Sequence, residues 1–218
     1  MKNIAFLPLR GGSKSIILKN IKLLNGIPLA YYALDAAVAC PYIEVVVVAT
    51  DSDEIKTVIQ EYASDKLLII GRSELVSTDT SPTIDVLLEF AEQYSFETVT
   101  LIQATSPLVS PEDLMGGWAL FQQGYDSVLS VTRQHRFIWD EQTRVPNYDL
   151  YNKPRRQDWK GILVENGAFY ISSYNQIIGS KAVISGNIGL YEMAPETYVE
   201  LDEPYDWIVM EQLIKNKN

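Results

Sequence analysis

Residues 44–50 read EVVVVAT. Four consecutive valines leave no polar face, and the run is too short to form a helix of its own. It is therefore read as a strand buried on both faces, which needs helices packed above and below it. Similar short apolar runs recur at 4–9, 66–70, 98–103 and 126–131, with helical spacing between them at 29–40 and 83–94. Asp51-Ser52-Asp53-Glu54 caps a further helix that is expected to run to about Ala63, with acids in the first turn where the helix dipole favours them. Ser110 and Pro111 open another, as N-cap and first helical residue. Asn25-Gly26 marks a turn. The expected fold is α/β: three layers, a mostly parallel sheet with helices on both faces.

Residues 1–218 are expected to form a single domain. From about Thr132 the pattern breaks into a stretch rich in charge and aromatics, including Arg133, Arg136, Phe137, Trp139, Tyr148 and Tyr151. It is read as an excursion from the sheet at about 132–165. The α/β pattern resumes near Asn166 and ends in a helix at about 203–215.

The chain carries 18 Lys plus Arg against 28 Asp plus Glu, a net charge of −10. That balance argues against nucleic acid as a partner, which needs a basic face. It leaves room for one small anion held by local cations and a metal. Cys40 is the only cysteine, which excludes an intrachain disulfide and a cysteine metal cluster, and fits a cytoplasmic location. The first ten residues do not read as a secretion signal, and no run reaches the ~18 apolar residues of a membrane span, so no membrane partner is expected.

In an open parallel sheet, ligands sit beyond the carboxyl ends of the strands, and the polar loops fall there. Arg10-Gly11-Gly12-Ser13-Lys14 follows the first strand. Its glycines let backbone N–H groups turn toward an anion and its cations add charge, although the spacing is not that of a Walker loop. An ordinary glycine-rich turn is the plainer alternative. Lys19-Asn20 adds a second cation. Asp51-Ser52-Asp53 has the form of the Asp-x-Asp metal motif of glycosyltransferases, but helix capping is the favoured reading, because both aspartates sit where caps belong. Glu200 and Asp202 are two apart, so an extended chain points both the same way, a pair suited to Mg²⁺ or to a solvated helix start. His135, the lone histidine, lies in a basic stretch with no triad partner near it in sequence.

Read in order, Arg10 to Lys14, Lys19-Asn20, Ser77-Thr78-Asp79, Gln103-Ala104-Thr105-Ser106-Pro107, Arg155 to Trp159 and Glu165 to Tyr170 form a series. That series resembles the CMP-sialic acid synthetases (acylneuraminate cytidylyltransferases), especially the animal-type branch. Gly124 to Val128 and Asp206-Trp207 are close to that branch as well. The resemblance implies a Rossmann-like nucleotidyltransferase with a protruding dimerisation arm, acting as a homodimer. It implies a reaction of CTP with a nine-carbon 2-keto sugar acid, with Mg²⁺ as cofactor. Arg10, Lys14 and Asp202 would be catalytic. Arg10, Gly11, Gly12, Ser13, Lys14, Lys19, Asn20, Arg72 and Thr83 would bind CTP. Gln103, Arg156, Gln157 and Asn166 would bind the sugar acid, and Glu200 and Asp202 the metal. The chain departs from the family pattern at Leu9, Ser15, Ile138, Val164 and Glu200. Two other readings stand beside this one: a metal-dependent glycosyltransferase using Asp51 and Asp53, and a catalytically decayed CTP-binding relative.

Overall fold

Strict alternation of side chains builds the centre of the molecule. In β1 (Asn3–Leu9), Ala5, Leu7 and Leu9 face one apolar layer while Ile4 and Phe6 face the other. In β4 (Val45–Thr50), Val46 and Val48 join the first layer, and Val47 and Ala49 the second. The computed structural model describes residues 1–13, 15–78 and 80–217; Lys14 and Asp79, both singled out above, lie outside the described residues.

A seven-stranded sheet has the order β5-β4-β1-β6-β8-β7-β9. Its remaining strands are β5 (Leu67–Gly71), β6 (Thr98–Ile102), β7 (Ser127–Gln134), β8 (Ile162–Ser173) and β9 (Ile188–Met193). Strand β8 runs antiparallel to both its neighbours, and every other pairing in the sheet is parallel. The reason is local: β7 and β8 are the arms of a long hairpin, a connection that only antiparallel strands can use. Leu23–Leu24 and Ile27–Pro28 (β2 and β3) form a small separate hairpin. Asn25 and Gly26, both at positive φ, make its turn, as their sequence suggests.

Helices α1 (Leu29–Ala39), α2 (Asp53–Gln60) and α4 (Pro111–Phe121) cover one face of the sheet. Helices α3 (Thr83–Gln93) and α5 (Tyr174–Ser180) cover the other. Helix α6 (Pro204–Lys217) packs across one end through Trp207, Met210 and Ile214, against Leu24, Leu29, Leu108 and Leu201. No helix among the described residues is long and apolar enough to cross a membrane.

Three expectations shift. Helix α2 stops at Gln60 rather than near Ala63, and its N-cap is Ser52, which accepts from the Ile55 N–H, rather than either aspartate. The sheet reaches further into the excursion than composition indicates. Strands β7 and β8 stay paired as far as Gln134 and Ile162, because ladder pairing tolerates charged side chains that point to solvent. Helix α5 and edge strand β9 are additional elements. Strand β9 exposes alternate residues, so it lacks the continuous apolar run of a central strand.

Residues 135–161 fold back on themselves around Phe137. Its ring lies 5.0 Å from Trp159 and 4.9 Å from Tyr148, with the Lys153 ammonium 4.7 Å above it.

Helix α4 begins with a reciprocal capping box. Ser110 Oγ accepts from the Asp113 N–H, and the Asp113 carboxylate accepts from the Ser110 N–H. Ser110→Ala should lower stability by roughly 1 kcal/mol, read as a lower urea midpoint with an unchanged slope.

Candidate active site

A cleft of about 420 Å³ opens at the carboxyl ends of β1, β5 and β6. Five stretches of chain build it.

The loop after β1 is fixed from both sides. Parallel register sets Leu9 beside Thr50, so Asp51 emerges next to the loop and accepts from the Gly11 N–H at 2.9 Å. A Cβ on Gly11 would lie 2.8 Å from the Ser52 Cβ, so only glycine permits this approach. On the other side, the buried Asn20 amide donates to the Arg10 carbonyl at 3.0 Å. The Ser13 N–H donates to the Gly11 carbonyl. The N–H groups of Gly11 and Ser13 are thus committed inside the protein, rather than turned toward an anion as their sequence suggests. Arg10, Ser13, Lys19 and Asn20 line the cleft, and Gly11 and Gly12 belong to the loop that carries them.

Arg72 follows β5 and also lines the cleft. Its guanidinium donates to the Val76 carbonyl, and its Nε is buried with no partner among the described residues. Burial weakens its hold on a proton, Asp51 opposes that loss, and neighbouring Arg10 adds to it. Thr83 lies at the start of α3, where Pro82 leaves the first turn without a side-chain cap, so the positive end of the helix meets the cleft. Gln103 follows β6 and completes this wall.

The acidic pair arrives from far along the chain. Leu201 is fully buried beneath α6, its N–H donates to the Thr105 carbonyl, and its carbonyl accepts from Lys19 Nζ at 2.6 Å. With Leu201 turned inward, Glu200 and Asp202 turn outward into the cleft, as spacing in an extended segment requires. Lys19 also pairs with Asp202 at 3.2 Å. Burial, then the charges of Asp202 and Glu165, push the Glu200 carboxyl up to about 7, against the pull of Lys19.

Not every expected residue reaches the cleft. Arg156 and Gln157 lie exposed in the 135–161 excursion, off the cleft wall. Asn166 is fully buried behind the wall; its amide donates to Thr197 and its Oδ1 has no partner among the described residues. His135 sits against the Trp159 ring in the excursion. Asp51 serves as the loop's anchor. The sequence separates it from that loop by some forty residues, and only strand register brings the two together. The roles of Thr105 and Thr197 had no signal in the sequence.

Glu200 gives a stability signature. With its folded pKa raised from 4.5 to about 7, its neutral form favours the fold. That stability is complete below the unfolded value and is lost as pH rises through the folded one. In metal-free buffer, Glu200→Gln should remove this loss, narrowing the fall in unfolding free energy between pH 4.5 and 7.5 by roughly 1–2 kcal/mol after solvent screening. Parallel urea melts of both proteins across that range measure it.

A family model described as cytidylyltransferase matches residues 4–213. The N-acylneuraminate cytidylyltransferase of Oncorhynchus mykiss is 41% identical over 214 residues, covering 94% of this chain and 48% of that protein. The CMP-N,N'-diacetyllegionaminic acid synthase of Legionella pneumophila is 31% identical over 228 residues, covering 99% of this chain and 97% of that protein. The chain spans about half the length of the fish relatives it matches. Among solved structures, a CMP:2-keto-3-deoxy-manno-octonic acid synthetase complexed with CTP superposes over 100% of both chains, with a TM-score of 0.75 at 15% identity. The same fold recurs in a 4-diphosphocytidyl-2C-methyl-D-erythritol synthase from Anaerococcus prevotii, with a TM-score of 0.70 at 11% identity. With the family model spanning nearly the whole length, this chain belongs to the cytidylyltransferase family.

Proposed function

We propose that this protein transfers CMP from CTP to the anomeric hydroxyl of a nine-carbon 2-keto sugar acid, N-acetylneuraminic acid or a close analogue such as its deaminated form, releasing pyrophosphate. One observation carries the reading: a single cleft gathers Arg10, Lys19, Arg72, Gln103 and the Glu200–Asp202 pair from separate stretches of chain. The names of the fish relatives support the acceptor class.

The reaction is an in-line displacement. The anomeric oxygen forms a bond to the α-phosphorus as the bond to the bridging oxygen breaks, and pyrophosphate leaves. Negative charge gathers on the phosphate oxygens, so the protein contributes mainly by positioning and electrostatics. Arg10, Lys14 and Lys19 supply positive charge to the triphosphate, carried on the loop with Gly11, Gly12 and Ser13. Asn20 keeps that loop in place. Arg72 and Thr83 face the base, and Gln103 the sugar acid. Arg156 and Gln157 reach the acceptor only if the excursion serves a neighbouring copy of the chain.

The donor set fits Mg²⁺. Glu200 and Asp202 offer hard carboxylate oxygens, and a divalent cation relieves the mutual repulsion that contributes to the high Glu200 pKa. Among the described residues no three metal-ligating side chains cluster, so phosphate oxygens would complete the shell. Held by Glu200 and Asp202, such an ion would supply positive charge to the phosphates and would favour ionisation of a nearby hydroxyl. The Asp-x-Asp alternative has less support, because Asp51 is engaged by the Gly11 N–H and Ser52 forms the helix cap.

Pyrophosphate release from CTP and Mg²⁺ should appear with one of N-acetylneuraminic acid, its deaminated analogue or a legionaminic acid. Lys14→Ala should lower that rate at least ~10²-fold. Release that survives unchanged in Lys14→Ala would sink the assignment. CTP binding without release for any acceptor would favour the decayed relative.

The excursion leaves Trp139 at 53%, Leu150 at 56% and Tyr151 at 100% exposure, more apolar surface than a monomer leaves without use. We read it as a homodimerisation arm, in a cytoplasmic enzyme whose buried Cys40 is unpaired. Light scattering at micromolar concentration should give twice the chain mass; a monomer would overturn the arm's role.

A further inference from the structure

We infer that Asn166 and Thr197 form a strut that positions the Glu200–Asp202 pair, so that Asn166 acts on the site through Thr197 rather than by touching the sugar acid. The inference rests on the proposed role of that pair in holding a divalent cation.

Asn166 lies on β8 with no solvent exposure. Its Nδ2 donates to Thr197 Oγ1 at 3.1 Å and to the Thr197 carbonyl at 3.3 Å, with the Met193 sulfur also at 3.3 Å. A carbonyl can only accept, so the amide nitrogen must face Thr197, which fixes the orientation of Asn166. Thr197 Oγ1 in turn donates to the Ala194 carbonyl at 2.7 Å. The chain Asn166 to Thr197 to Ala194 thus locks the 195–198 turn onto β8, three residues before Glu200.

The next residue of β8 makes the second contact. Gly167 has φ +64°, and a Cβ there would stand 2.5 Å from Glu200 Oε2. The backbone of β8 therefore forms the seat against which the Glu200 carboxylate lies. A third tie closes the frame: the Ser106 hydroxyl donates to the Asn166 carbonyl at 3.4 Å, and the neighbouring Thr105 carbonyl holds the Leu201 N–H. The Asn166–Thr197 bonds, the close approach of Gly167 to Glu200 and the Thr105–Leu201 bond thus converge on residues 197–202, the segment that carries both acids. Asn166 itself is walled off from the cleft, so its chemistry reaches the site only through this segment.

Partners that orient metal ligands typically change affinity 10- to 100-fold when removed. Thr197→Val keeps the shape and removes the hydroxyl; Thr197→Ser keeps the hydroxyl. The probe is Mn²⁺, titrated into the protein with CTP and followed by electron paramagnetic resonance, with CTP binding in chelator and the thermal midpoint as controls. Thr197→Val should weaken Mn²⁺ binding at least ~10-fold. Thr197→Ser should restore it to within about threefold, with CTP binding in chelator held near wild type in both. Asn166→Ala, which also removes the bond to the Thr197 carbonyl, should weaken binding at least as much as Thr197→Val, and the double variant should be no worse than Asn166→Ala alone.

Unchanged Mn²⁺ binding in Thr197→Val, or a folded Asn166→Ala that raises only the acceptor KM, would overturn the strut. If wild type binds Mn²⁺ and Thr197→Val weakens it, yet no acceptor yields pyrophosphate, the strut stands and the proposed reaction fails. If wild type with CTP does not bind Mn²⁺, both the strut and the metal site are wrong.

Discussion

Burial of β1 and β4 on both faces is the constraint from which the site follows. Both strands are covered by apolar layers, so their polar residues can appear only where the strands end. Parallel pairing puts those ends on one edge, and the register of Leu9 with Thr50 sets the loop of Arg10 beside Asp51. The remaining requirement is to bring acids to the same edge from the far end of the chain. Leu201 achieves this through burial: an apolar side chain captured beneath α6 turns its two acidic neighbours the other way. The hydrophobic contribution, roughly 1.5–3 kcal/mol for a buried leucine, thereby orients charge.

Electrostatic balance in the cleft runs against that of the molecule. The chain carries a net charge of −10, yet the cleft collects Arg10, Lys19 and Arg72 opposite two carboxylates. Lys19 bridges the halves, held by the Leu201 carbonyl and paired with Asp202. It also lowers the cost of placing Glu200 near Asp202 and Glu165, though not enough to bring Glu200 back to an ordinary carboxyl. In the proposed reaction these cations would meet the triphosphate, and the two carboxylates the metal ion.

The sheet, its helices and part of the cleft could be read from residue order because each rests on a local rule, whereas Arg72, Thr83 and Gln103 were reached only through the family resemblance. The valine run requires a doubly buried strand, Ser110 and Pro111 start a helix, and Glu200 and Asp202 share a side when the chain is extended. What escaped was non-local. The antiparallel course of β8 depends on how the chain returns from the excursion, which composition does not record. Edge strand β9 exposes Ile188 and Leu190, so its pattern lacks the signature of a core strand. The family resemblance pointed to Asn166 as an acceptor contact, but the fold buries it against Thr197, a partner that nothing in the spacing suggests. Asp51 looked like half of a metal motif because a lone carboxylate after a strand gives no sign of which neighbour it will accept from.

The glycine-rich loop shows how one sequence pattern can serve two physical strategies. In a phosphate cradle built from backbone, glycines free the N–H groups to face the anion. Here the Gly11 N–H goes to Asp51, the Ser13 N–H to the Gly11 carbonyl, and the Arg10 carbonyl takes the Asn20 amide. Gly11 is needed for clearance from Ser52 rather than for N–H donation. With those backbone groups committed, the positive charge in this part of the cleft comes from side chains on the loop and just beyond it. Charge carried on side chains does not depend on freeing backbone donors that the loop has already committed. The committed N–H groups of Gly11 and Ser13 thus fit a loop that lacks Walker spacing yet keeps a basic residue at each end of its sequence.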